Sequence, residues 1–160
     1  MQYTLAEARE QLFKEAATKD GGICPCCDRF TKIYNRKFNK AMAFSLCWLY
    51  RENIHRGQVW ASIGDKAPRK VVRNGGSLAT CAWWGLVRQR TSDSNPEKRT
   101  SGLWQITEQG IQFVECRITI PSHATTYNAQ VIEFNHKQKI SIAQALGRPF
   151  HYTELMEALP

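Results

Sequence analysis

Apolar residues recur at spacings of three and four in two long stretches of the chain and alternate with polar ones in several shorter stretches, which separates predicted helices from predicted strands. Leu5, Ala8, Leu12, Phe13 and Ala16 form one stripe, and Thr4 with Glu7 three residues later reads as a capping box, so residues 5–18 are predicted to be an amphipathic helix. It packs on its own domain or on a second copy of the chain, and the pattern leaves both open. Residues 30–38 alternate, which predicts a strand with Phe30, Lys32, Tyr34 and Arg36 on one face. A denser stripe, Ala43, Leu46, Cys47, Tyr50 and Ile54, is widened by Phe44 and Trp48. With Asn39 as its cap, it predicts a helix over 40–53 that is the most buried in the protein. His55 stands at the C-terminal end of that helix, where the dipole favours a cation, Gly57 closes it, and residues 58–63 read as a short strand.

The next segment is punctuated by turn residues. Pro68 and Gly75-Gly76 bound a short basic helix over 69–74, and Ser77 is placed to cap a second helix over 78–84. Gly85 stops that helix by taking the left-handed conformation, and residues 86–90 enter a strand. Residues 91–100 are polar and contain Asn95-Pro96, so they form a loop, and 102–106 resume alternation with Trp104 and Ile106 on the inner face. Together these make a β-hairpin with a long tip. Thr107 caps a following helix whose buried edge is Ile111 and Val114. Residues 117–120 and 125–134 alternate as further strands, with Pro121-Ser122 and Asn128-Ala129 as turns. Residues 140–160 read as two short helices broken by Gly147-Arg148-Pro149, the last capped by Thr153.

Composition narrows the class. A chain of 160 residues, 42% hydrophobic with five tryptophans, buries one core and a small satellite. It contains no apolar run of membrane-spanning length, and residues 1–13 carry Glu7, Arg9 and Glu10, unlike a secretion signal, so a cytoplasmic protein without a membrane partner is expected. The net charge of +8 is unevenly spread. Residues 28–40 hold five bases against one acid and residues 66–99 eight against two, so these windows carry +10 and the remainder −2. Positive charge confined to two windows is the footprint of a nucleic-acid binder rather than of a uniformly solvated surface.

Cys24-Pro25-Cys26-Cys27 places Cys24 and Cys27 at the spacing of a zinc knuckle, in which two thiolates converge on one point. The third and fourth ligands are not evident: Cys26, Cys47, His55, Cys81, Cys116 and His123 are scattered, and Cys47, Cys81 and Cys116 fall in apolar runs where a buried free thiol is the ordinary state. A zinc here would be shared across a homodimer or completed from distant positions. Structural disulfides are not expected in a cytoplasmic chain. The four histidines show no metal-ligand spacing and no Ser or Cys sits in a nucleophile elbow, so the chain does not read as an enzyme.

The run Gly85-Leu86-Val87-Arg88 followed by Trp104-Gln105-Ile106-Thr107-Glu108-Gln109-Gly110 resembles the wing line of winged helix-turn-helix regulators of the MarR and PadR type. With the preceding helices the likeness covers about 75 residues. It implies an α+β fold: a winged helix-turn-helix core over 39–117, an N-terminal helix, Cys knuckle and basic strand over 1–38, and a C-terminal hairpin with short helices over 118–160. The knuckle leading through Arg29-Phe30, Lys32, Tyr34 and Arg36 is similar to a group of small phage and prophage proteins.

On this reading the protein is a double-stranded DNA-binding regulator of phage or prophage origin. Arg69, Lys70, Arg73 and Asn74 hold phosphates, Ser77 and Thr80 face the groove, and Arg88, Arg90, Lys98 and Arg99 carry the wing along the backbone. Lys32 and Arg36 add a basic face. The helix over 78–84 is poor in base-reading side chains, which also suits a winged-helix interaction module that binds a host protein such as an RNA polymerase or a defence complex. A third reading takes Phe30, Lys32, Tyr34 and Arg36 as a platform for RNA or single strands.

Overall fold

The computed structural model describes residues 3–69, 71, 76–91, 94–95, 97 and 99–147. It is an α+β protein built from helices and several small antiparallel sheets. The chain forms two compact units, the described residues of Met1–Lys37 with His123–Asn135, and those of Phe38–Ser122 with His136–Pro160. This grouping differs from the three consecutive segments 1–38, 39–117 and 118–160. The C-terminal hairpin joins the N-terminal piece because its first strand pairs there.

In the first unit, helix α1 (Leu5–Ala16) starts at the expected capping box: the Thr4 hydroxyl accepts from the Glu7 amide, and the Glu7 carboxylate accepts from the Thr4 amide at 2.8 Å. Ala8, Leu12 and Ala16 are its buried stripe, while Leu5 and Phe13 stay largely exposed. The helix packs on its own unit. The Phe13 ring meets Tyr127 edge-on at 5.4 Å, and the Ile33 amide donates to the Ala16 carbonyl at 2.8 Å. Strands β1 (Gly22–Ile23) and β2 (Phe30–Thr31) form a small hairpin around the cysteines. The continuous strand predicted over 30–38 is broken at Lys32-Ile33, where Ile33 turns to bond α1, and resumes as β3 (Tyr34–Lys37). β3 pairs with β8 (His123–Tyr127), which pairs with β9 (Gln130–Phe134), in the order β3-β8-β9. Asn128 and Ala129 both take positive φ, the two-residue turn whose twist matches an antiparallel hairpin.

In the second unit, α2 (Lys40–Tyr50) is capped by Asn39, whose side chain accepts from the Met42 amide at 3.0 Å, and it is the central buried element. Leu46, Cys47, Trp48 and Leu49 are fully buried. The helix widens into a π-turn over Arg51–His55, which buries Arg51 and Glu52, and the Glu52 carboxylate accepts from Arg56 at 2.8 Å. The predicted strand over 58–63 shrinks to β4 (Ala61–Ser62). The Gln58 amide turns back to the Glu52 carbonyl and Val59 is 63% exposed, so pairing starts only at Ala61. Ile63 opens a short helix, α3 (Ile63–Lys66), where a strand end was expected. Val71 is buried and its amide donates to the Pro68 carbonyl.

Helix α4 (Gly76–Cys81) continues as a 3-10 turn over Ala82–Trp84 and ends at Gly85, with φ +70 as anticipated. Ser77 lies inside this helix rather than ahead of it. Strands β5 (Val87–Thr91) and β6 (Arg99–Ile106) form the hairpin, and β4 adds to the far side of β6, giving the order β4-β6-β5. Helix α5 (Glu108–Val114) is capped by Thr107 and buries Phe113 and Val114, with Ile111 only half-buried. The Phe113 ring meets Phe38 edge-on, and Phe38 meets Trp84 in the same way, both at 5.5 Å. The predicted strand over 117–120 is reduced to β7 (Ile120–Pro121), because the Arg117 amide still bonds the Gln112 carbonyl and Cys116 takes φ +62. Pro121 is in that strand and not in a turn, paired with β10 (Lys139–Ile140). Helix α6 (Ile142–Leu146) has a second capping box, Ser141 with Gln144. The second C-terminal helix and its Thr153 cap lie outside the described residues.

Candidate nucleic-acid interface

The β5-β6 hairpin is built from its base upward. Gly85 turns the chain, and Leu86 and Val87 are buried at the foot of β5. Alternation then sends Arg88 and Arg90 outward, both exposed, with Gln89 half-buried between them. Val87 pairs with Ile106, Arg88 with Gln105 and Gln89 with Trp104. The register shifts between Gln89 and Thr91, where Gly102 at φ +84 accommodates the irregular backbone of β6. Arg88 is held in place on two sides. Its Nε donates to Gln105 Oε1 at 2.6 Å, and its guanidinium lies 5.5 Å from the centre of the Trp60 ring. Trp60 is a member of the site that sequence reasoning missed. It precedes β4, and only the pairing of β4 with β6 brings it beside the residue opposite Arg88.

Helix α4 presents a different surface from the one expected. Leu78 and Cys81 are buried, Ser77 and Thr80 are half-buried, and the exposed positions are Ala79 and Ala82. Ser77 and Thr80 are therefore partly exposed, beside the more open Ala79. Of the residues expected to hold phosphates, Arg69 is exposed in the turn after Pro68. Lys70, Arg73, Asn74 and Lys98 lie outside the described residues, and Arg99 is placed only by its backbone in β6.

The first unit gathers Lys32, Tyr34 and Arg36, as expected, but engages them with one another. Arg36 lies over the Tyr34 ring at 4.6 Å, Lys32 Nζ is 6.0 Å from the same ring, and Lys32 donates to the Lys19 carbonyl at 2.7 Å. Phe30 is exposed in the separate β1-β2 hairpin, so the four side chains do not form one continuous face.

Five of the cysteines fall into two groups, and the sixth, Cys116, is exposed rather than buried as its apolar run suggested. Cys24 is half-buried, and Cys26 and Cys27 are exposed at the hairpin tip. The Cys24 thiol is held below its usual range, first by the Cys26 backbone amide, then by the Cys27 side chain and the Cys27 amide. Burial pushes the Cys47 thiol up to about 12, and the Cys81 thiol rises for the same reason. Both are buried, and Cys81 donates to the Met42 carbonyl at 3.7 Å. Cys47 and Cys81 therefore belong to the hydrophobic core. Among the described residues no group of three His, Cys, Asp or Glu side chains converges on one point. Nor is any described helix long and apolar enough to cross a membrane.

No family model, no curated protein and no solved structure matches the chain.

Proposed function

We propose that the protein binds double-stranded DNA through a winged-helix second unit, with the β5-β6 hairpin as its leading contact. The observation that carries this is the wing: two arginines project from one face of β5, and one of them is braced by Gln105 and Trp60. A braced, charged side chain loses less rotamer freedom when it meets a phosphate than one on a free stem. The element order supports the reading. A buried helix, a two-residue strand, helical turns and a hairpin follow in sequence, with the first strand added outside the last. The excess of eight bases over two acids in residues 66–99 supplies the field.

The test is a salt series on random duplex DNA. Replacing Arg88 and Arg90 together by Gln is expected to lower the slope of log affinity against log salt by about 2, since each phosphate contact releases about 0.9 counterion. An unchanged slope would take the wing out of the interface.

One observation favours a second reading. The exposed side of α4 is Ala79 and Ala82, a small apolar face without a base-reading side chain, and it suits an interaction module docking on a host protein. No duplex binding at low salt would move the assignment there.

A further inference from the structure

The β1-β2 hairpin has the geometry of a metal knuckle. Its neck is paired Gly22 to Thr31 and Ile23 to Phe30. The Cys24 amide donates to the Arg29 carbonyl and the Asp28 amide to the Cys24 carbonyl, both at 2.9 Å. Asp28 takes φ +56, the left-handed bend that returns the chain after the second thiol. The two hydrogen bonds close a short turn that holds Cys24 and Cys27 in one loop at the hairpin tip. Cys26 is set between the two and is exposed.

We infer that Cys24 and Cys27 form half of a soft-metal site, and that a second copy of this chain supplies the other half through its own Cys24 and Cys27. Zinc in a structural site takes four ligands, and among the described residues no third His, Cys, Asp or Glu joins the pair. One observation beside the thiols fits a second copy. Ile23 and Phe30, opposite one another at the hairpin neck, are 53% and 57% exposed, an apolar pair that association would cover. The hairpin and the strand after it are also basic, with Arg29, Lys32 and Arg36. Four thiols bind the dication and release four protons, leaving a centre of net charge −2, which offsets the repulsion between two such basic hairpins. The site is distinct from the wing, and its function is to join two chains.

The experiment is a cobalt(II) titration of the reduced, chelator-washed full-length chain under anaerobic conditions, read by thiolate-to-metal charge-transfer absorption and by sedimentation. The expected result is saturation at about one metal per two chains, with the absorption of a tetrahedral four-sulfur site. Sedimentation should shift from one chain to two only when metal is present. Cys24→Ser and Cys27→Ser each lose the band and the shift, whereas Cys26→Ser keeps both and shows that the loss is not a general effect of altering the tip. Circular dichroism matching the parent chain establishes that each variant is folded. No uptake by the parent chain, saturation at one metal per single chain, or uptake that survives in the folded Cys24→Ser chain would each overturn the inference.

Discussion

Thr107 and Gly110 show how much one junction asks of single residues. The Thr107 hydroxyl donates to the Gly85 carbonyl at 2.6 Å and accepts from the Gly110 amide at 3.1 Å, so one side chain joins the end of α4 to the start of α5. At Gly110 a Cβ would run into the Leu86 carbonyl oxygen and come within 2.7 Å of Ile106 Cγ1, and backbone cannot yield as a flexible side chain would. Thr107→Ala is expected to cost about 1–2 kcal/mol through the lost cap. Gly110→Ala should cost about 1–3 kcal/mol through overpacking. Urea midpoints measure both, and a Gly110→Ala chain that unfolds at the parent midpoint would refute the close approach. Cys47 carries a separate prediction. Its thiol is pushed up to about 12 by burial, against about 8.5 in an unfolded chain, so above that lower value the folded state keeps a proton that the unfolded state loses. The stability it supplies is whole below about pH 8.5 and is lost as pH rises toward 12, at up to about 1.4 kcal/mol per pH unit. Cys47→Ala should therefore show a shallower decline in urea midpoint between pH 8 and 10 than the parent chain, and equal declines would contradict the burial argument.

At the scale of elements, the question is whether α4 enters a groove or stands beside it. Its outward Ala79 and Ala82 carry no hydrogen-bonding side chain, so on the proposed DNA reading the helix would contribute shape and the β5-β6 hairpin charge. Placing glutamate at both positions sets two negative charges against the phosphates. The double variant is expected to weaken duplex binding at least about tenfold at low salt, a loss of about 1.4 kcal/mol. Fluorescence anisotropy on labelled duplex measures it, and an affinity within twofold of the parent would show that α4 does not face the DNA. The helix itself was readable from its neighbours: Gly85 stops it, and the apolar run ahead of it packs inward. Its outer face was not. Ser77 and Thr80 look like base readers in sequence, whereas in the structure both are half-buried and the open positions beside them are Ala79 and Ala82.

Across the whole molecule, two basic windows are candidates for contact with the proposed DNA. The window over 66–99 contains the β5-β6 hairpin of the second unit, the proposed contact, whereas Lys32 and Arg36 of the other window belong to the first unit. Lys32→Gln with Arg36→Gln is therefore expected to leave the duplex salt slope unchanged, in contrast to the wing variant. A fall of about 2 would bring the first unit into the interface. What the sequence alone determined is local: the box at Thr4, the caps Asn39 and Thr107, the stop at Gly85, the turn at Asn128-Ala129 and the buried stripe of α2. Each depends on residues within a turn or two, so spacing and residue type suffice. Tertiary structure alone decided that β3 pairs with β8, that β7 meets β10, and that Trp60 reaches Arg88 across β6. Those partners are distant in sequence, and alternation shows that a strand has an inner face without showing which edge it will find. That choice is made by the competition among edges when the core closes, so the cap at Thr107 could be located from four residues while the bracing of Arg88 could not.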